Sequence, residues 1–224
     1  MIRRIAPYSL RGFLYYQGEE DVQRYADYSD MMLMLVKQWR MDWNDWNLPF
    51  LFVQLPMYLA DGEKDDSYWA LQREQQYIAS MMIQNAGMIS LADCGEYDNI
   101  HPLDKKTPGE RLFQLAKNLV YDKQGTITAT AAQLFSDNGK LYVTFDHLHE
   151  KLVMQTANGC PFEISGEDNL FYPAKADVIH GNMLCISNPA VKFPSAVKYA
   201  WYNFGEAVLF TESGNPVSPF FKCV

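Results

Sequence analysis

The sequence is poor in the residue types on which several chemistries depend. It has four cysteines, Cys94, Cys160, Cys185 and Cys223, whose spacing matches no zinc-ligand or redox pattern. They can be free thiols or form one or two bridges, so they leave the redox compartment open. Basic residues never run longer than Lys105–Lys106, and the formal net charge is −8. Phosphate recognition needs clustered Lys and Arg, so nucleic acid is not an expected partner. No apolar stretch approaches the ~20 residues of a bilayer-spanning helix, so no membrane association is expected. Arg3 and Arg4 follow Met1, but the apolar segment of a secretory leader does not follow them. Gly-x-Ser-x-Gly is absent, and so is Gly-Asp-Ser. Ser195-x-x-Lys198 and Ser136-Asp137-Asn138 superficially match β-lactamase motifs, but they stand in the reverse order and without the helical setting those motifs need.

What is present divides into two grammars. Leu10–Tyr16 is an apolar run ending in a polar turn, which predicts a buried strand. Between Asp21 and Trp43, apolar residues at 25, 28, 32, 35 and 39 predict a helix with one apolar face. A second strand is expected over Pro49–Leu55, a second helix over Ser67–Asn85 and a third strand over Met88–Asp93. Thr107 as cap, Pro108 at the first turn and Glu110 three residues after Thr107 predict a third helix, to about Tyr121. Alternating strand and helix imply a parallel sheet covered on both faces. After Lys123–Gly125 helical periodicity stops. Short segments follow (126–134, 140–145, 151–156, 183–187, 196–201 and 207–210), punctuated by turns such as Asp137-Asn138-Gly139. They predict an antiparallel β-rich region. The expected organisation is an α/β unit over 1–123 and a β-rich unit over 124–224, packed together.

Two stretches carry groups that can do chemistry. Tyr16-Gln17-Gly18-Glu19 directly follows the first strand, at the sheet end where α/β proteins build their crevices. A Gln–Gly pair there offers an amide side chain and an unobstructed backbone N–H, both able to bind an oxyanion. Alone, the same residues also describe a strand-to-helix turn with acidic residues opening the next helix. The second stretch, Asp93 to Pro102, follows the third strand and places Asp98 three residues before His101. A carboxylate so placed can hold one imidazole nitrogen and leave the other as a general base. Asp146, His147 and His149 form a further cluster, read as a strand-edge surface group rather than a metal site.

Taken in order, these stretches resemble the later blocks of the SGNH (GDSL-like) hydrolases, specifically the sialate O-acetylesterase family. The resemblance runs through Met1-Ile2 with Ile5-Ala6-Pro7, Gly12 to Glu19, Val53-Gln54-Leu55-Pro56 and Trp69 to Gln76. It continues through Asp93 to Pro102, Lys105 to Leu112, Val197 to Trp201 and Gly214 to Phe220. It implies a partial flavodoxin-like three-layer sheet and a carbohydrate O-acetylesterase that needs no metal or organic cofactor. Its substrate would be an acetylated sugar, either a sialic acid or a polysaccharide such as xylan. His101 is implied as the base and Asp98 as its orienting carboxylate, with Glu19 competing for that role. Gln17 and Gly18 are implied on the oxyanion side, and Arg73 and Gln76 as supporting residues of a helix. Tyr15 stands where the family has Trp, and Glu20-Asp21 where it has Ser-Asn.

The resemblance also implies a gap. In this family the nucleophilic serine follows the first strand of the sheet, and these residues begin near the third. The segment bearing the serine is therefore expected to be missing, and the chain alone to be inactive. In the strand order 2-1-3-4-5 the strand Gly12–Tyr16 would be left at an open edge. Through that edge the chain is expected to self-associate or to complement a separate N-terminal half. An inactive domain that binds a carbohydrate or a partner is the alternative. Family members are often secreted or periplasmic, and the compartment of this chain stays open.

Overall fold

A computed structural model describes residues 2–6, 8–156 and 158–224. Met1 and Pro7, two ends of the N-terminal resemblance, lie outside the described residues.

Three strands, β1 (Phe13–Tyr15), β2 (Phe50–Gln54) and β3 (Ala86–Ser90), form a parallel sheet in the order β1-β2-β3. Side chains alternate across it. Phe50, Phe52 and Met88 pack against Tyr28, Met32 and Val36 of α1 (Tyr28–Asp42), Ala79 of α2 (Tyr68–Met82) and Ile83 just past its end. Leu51, Val53 and Ile89 meet Leu112 and Leu115 of α3 (Lys106–Leu119) on the other face. Every residue of β2 is buried, as a central parallel strand requires. The result is the three-layer α/β arrangement expected.

The elements differ from the periodicity in two places. The region read as one helix opens with a 3-10 segment, Glu19–Asp27, broken at Arg24 by a non-helical backbone (φ −125°, ψ 27°). The α-helix itself starts at Tyr28. In α3 the cap is not Thr107. The Asp104 carboxylate accepts the backbone N–H groups of Lys106 and Thr107 at 2.9 and 3.0 Å, so the helix begins at Lys106. An acidic cap suits the positive end of the helix better than a hydroxyl.

The remaining chain is antiparallel. β4 (Thr130–Asp137) and β5 (Lys140–Asp146) form a hairpin whose turn residues Asn138 and Gly139 both have positive φ, the geometry an Asn-Gly turn favours. They join β9 (Lys175–Ile179) and β10 (Met183–Ser187) in one sheet. A second sheet holds β7 (Phe162–Ser165), β8 (Tyr172–Pro173), β11 (Ala196–Tyr199) and β13 (Phe220–Cys223). β6 (Leu152–Met154) and β12 (Leu209–Thr211) make a ribbon. Leu141, Val143, Ile164, Leu184, Val197 and Tyr199 fill the space between them.

The two regions share a buried polar seam. Ser218 Oγ donates to Gln54 Oε1 at 2.9 Å, and Gln54 Nε2 donates to the Arg73 carbonyl at 3.1 Å. Arg73 Nη2 donates to the Tyr202 carbonyl, and Trp69 N donates to Asn203 Oδ1 at 3.0 Å. Among the described residues no helix is long and apolar enough to cross a membrane. None of their His, Cys, Asp and Glu side chains gather in threes able to hold a metal ion.

Candidate active site

The two chemically rich stretches leave the C-terminal ends of β1 and β3, and one apolar cluster draws them together. Val22, Leu55 and Trp69 are its buried members, and both Tyr16 and Ile100 pack on it. Tyr16 immediately precedes Gln17-Gly18-Glu19, and Ile100 immediately precedes His101. The Lys105 ammonium lies 5.1 Å from the centre of the Tyr16 ring. Burial, with the charge of Glu19 and the nearby Cys94 thiol behind it, pushes the Tyr16 hydroxyl up to about 12. Tyr16 is thus the hub between Glu19 on one loop and Cys94, Ile100 and Lys105 on the other.

The Gln17–Gly18 peptide is held from behind. The Gln17 carbonyl accepts from the Tyr28 hydroxyl at 3.1 Å and from Gln76 Nε2 at 3.3 Å. In a trans peptide the N–H points opposite to the carbonyl. The Gly18 N–H therefore faces away from α1 and α2, and it has no acceptor among the described residues. Gly18 has φ 142°, and an added Cβ would lie 3.0–3.2 Å from Gln76 Nε2, Gln72 Nε2 and the Tyr28 oxygen. Only glycine suits both the backbone angle and the space. The Gln17 side chain is tied back to its own loop: Nε2 donates to Asp21 Oδ2 at 2.6 Å, and Oε1 accepts from the Tyr15 hydroxyl at 3.2 Å.

The histidine loop is fixed at several points. Arg111 forms a two-pronged pair with Asp93, both contacts at 2.6 Å, and also donates to the Ser90 carbonyl at 3.1 Å. Gly95 lies on the backbone of Met57, where an added Cβ would come within 2.0 Å of the Met57 carbonyl oxygen. Glu96 accepts from Asn99 Nδ2 at 2.7 Å and from Leu103 N at 2.6 Å, which holds its carboxyl below the ordinary value. Asn99 Oδ1 in turn accepts from His101 N at 3.1 Å. Asp98, in a left-handed conformation (φ 57°), accepts from Asp61 N at 2.9 Å. The His101 and Glu19 side chains form no hydrogen bond among the described residues, and His101 is exposed.

Several of these residues carry no signal in a local reading of the chain. Tyr28 and Gln72 reach Gly18 only through the fold, and Arg111 reaches back across the loop to Asp93. One clue is legible. The buried stripe of α2 (Trp69, Gln72, Arg73, Gln76 and Ala79) is polar where a helix of ordinary amphipathicity would be apolar. Cys94 also sits in the loop after β3, but burial first, then the charge of Asp93, push its thiol up to about 12. A thiol so protonated is no nucleophile at neutral pH.

A parallel sheet covered on both faces, with these two loops at its carboxyl end, is the three-layer α/β frame of an SGNH-like fold. The match to protein families makes this specific. Residues 1–119 match the model "Carbohydrate esterase, sialic acid-specific acetylesterase", and the chain belongs to that family. It is 27% identical to the sialate O-acetylesterase of Mus musculus over 250 aligned positions, covering 98% of this chain and 46% of the relative. Against that of Rattus norvegicus the identity is 26%, with 98% and 45% covered. A crystal structure of a carbohydrate acetylesterase from Xanthomonas citri superposes with a TM-score of 0.89 at 32% identity, covering 97% of this chain and 51% of that one. The chain spans about half the length of the relatives it matches.

Proposed function

We propose that this chain supplies the base and part of the oxyanion hole of a carbohydrate O-acetylesterase, with O-acetylated sialic acid as the favoured substrate. The observation that carries this is the meeting of Tyr16 and Ile100 on one cluster, which sets the free Gly18 N–H and His101 at the same end of the sheet. A serine hydroxyl from a further segment, deprotonated by His101, attacks the acetyl carbonyl. The Gly18 N–H receives the developing oxyanion. The imidazolium returns its proton to the departing sugar hydroxyl. Water, deprotonated by the same imidazole, then releases acetate and restores the serine. Glu19 is favoured over Asp98 as the orienting carboxylate, because neither of its oxygens accepts a hydrogen bond among the described residues while Asp98 Oδ1 accepts from Asp61 N.

The serine-bearing segment docks on the outer edge of β1. That edge is unpaired among the described residues, and Leu14 on it is 62% exposed. Acetate release from 9-O-acetylated sialic acid and from acetylated xylan tests the reading. The purified chain alone releases no more than its His101→Ala variant. Adding the serine-bearing half brings turnover, faster on the sialic acid. Turnover by the chain alone would show a nucleophile within these residues. Preference for xylan would replace the substrate.

A further inference from the structure

Between α2 and β13 the surface opens into a small cleft of about 70 Å³, under the roughly 300–1,000 Å³ of drug-sized sites and with room for a single small unit only. Tyr77, Trp201 and Phe221 are its aromatic walls, and Glu74 and Lys222 its charged ones. Glu74 and Tyr77 lie on the flank of α2 turned away from Gln72 and Gln76, so the pocket is a helix thickness from the Gly18 loop. The indole of Trp201 and the ring of Phe221 lie 5.7 Å apart between centres, 58° from parallel. The Lys222 ammonium lies 5.2 Å from the centre of the Tyr77 ring.

Several polar groups of this pocket form no hydrogen bond or ion pair among the described residues. Among the described residues, Glu74 and Lys222 form no ion pair although they line the same space. The Glu74 carboxylate, the Tyr77 hydroxyl and the Trp201 indole N–H form no hydrogen bond there either. Burial raises the Glu74 carboxyl, and the charge of Lys222 opposes the rise. One acceptor, one cation and two neutral donors thus belong to the residues that line this aromatic space.

That combination selects a chemical class. An apolar ligand would leave all four groups desolvated and unpaired, at a cost for each. A phosphate dianion would meet the Glu74 carboxylate with Lys222, among the described residues, as the one cation lining the pocket to offset it. A pyranose presents a C–H face to aromatic rings and a rim of hydroxyls that both donate and accept. We propose that this pocket binds one pyranose unit of a glycan, apart from the acetyl-transferring crevice. It thereby holds the carbohydrate on the flank of α2 remote from His101. This stands whether or not the esterase reading holds.

The test is NMR titration of the folded chain with 3′-sialyllactose, an acidic probe, and xylotriose, a neutral one, following the Trp201 indole N–H. Saturable movement of that signal by either sugar is expected, and a response to the acidic probe alone would make Lys222 the reader of charge. Read from the backbone amide signals of Glu74 and Lys222, which remain in the variant, Trp201→Ala should weaken binding about tenfold, the loss of one aromatic contact worth ~1.4 kcal/mol. The conservative Glu74→Gln variant should also weaken it, and His101→Ala should leave it unchanged. No movement with either sugar, or binding indifferent to both Trp201→Ala and Glu74→Gln, would overturn the proposal. So would binding lost in His101→Ala, since that would place the sugar in the crevice.

Discussion

Cys94 shows how one residue's setting decides between two chemistries. It stands in the loop after β3 beside Asp93, where a nucleophile would be useful, yet its thiol is pushed up to about 12, by burial first and by Asp93 second. Only the thiolate alkylates, and at pH 8 a group with so high a pKa is almost wholly protonated. Iodoacetamide at pH 8, read by peptide mass spectrometry, is therefore expected to modify the exposed Cys160 and Cys223 and to spare Cys94. Prompt modification of Cys94 would mark it as activated and reopen the search for the nucleophile. His101 and Gln17-Gly18-Glu19 were visible in the chain because each lies in one short loop after an apolar run. Tyr28 and Gln76 were not visible as the clamp on the Gln17 carbonyl, because they lie 11 and 59 residues away. Nothing local encodes a contact closed by two helices.

At the level of elements, β1 is the incomplete one. Leu14 shares a register position with Leu51, so both face the α3 layer. Leu51 is 1% exposed and Leu14 62%, because α3 packs over β2 and β3 and leaves β1 uncovered. An exposed apolar edge invites a further strand. The chain alone is expected to elute as a dimer or larger in size-exclusion chromatography with light scattering, and Leu14→Lys is expected to return it to monomer. A monodisperse wild-type monomer would contradict the docking role given to this edge. The sheet and its helices were legible because long apolar runs and 3.6-residue periods are strong signals. β7, β8, β9 and β13 were not: they are two to five residues long and lie among polar or proline-containing stretches without a clear apolar alternation. Segments so short complete too few alternations to separate from loop, and β8 contains Pro173.

In the molecule as a whole, the α/β and β-rich regions are joined by polar groups at the back of the site. Gln54 and Ser218 are both essentially inaccessible to solvent, and their hydrogen bond spans 164 residues of chain. Ser218→Ala leaves the Gln54 oxygen buried without that donor. The expected cost is about 1–3 kcal/mol in denaturant unfolding, and no loss would show that the seam does not hold the regions together. This joint was foreshadowed in the sequence only as a short linker after Lys123. Its substance lies in residues scattered from Gln54 to Ser218. The proposed role of His101 is the central claim, and the most direct measurement is acetate release by the chain joined with the serine-bearing segment proposed to complete it, compared with the same assembly carrying His101→Ala. Loss of a general base predicts a fall in turnover of about 100-fold or more with substrate binding retained. Turnover unchanged by the substitution would contradict the account.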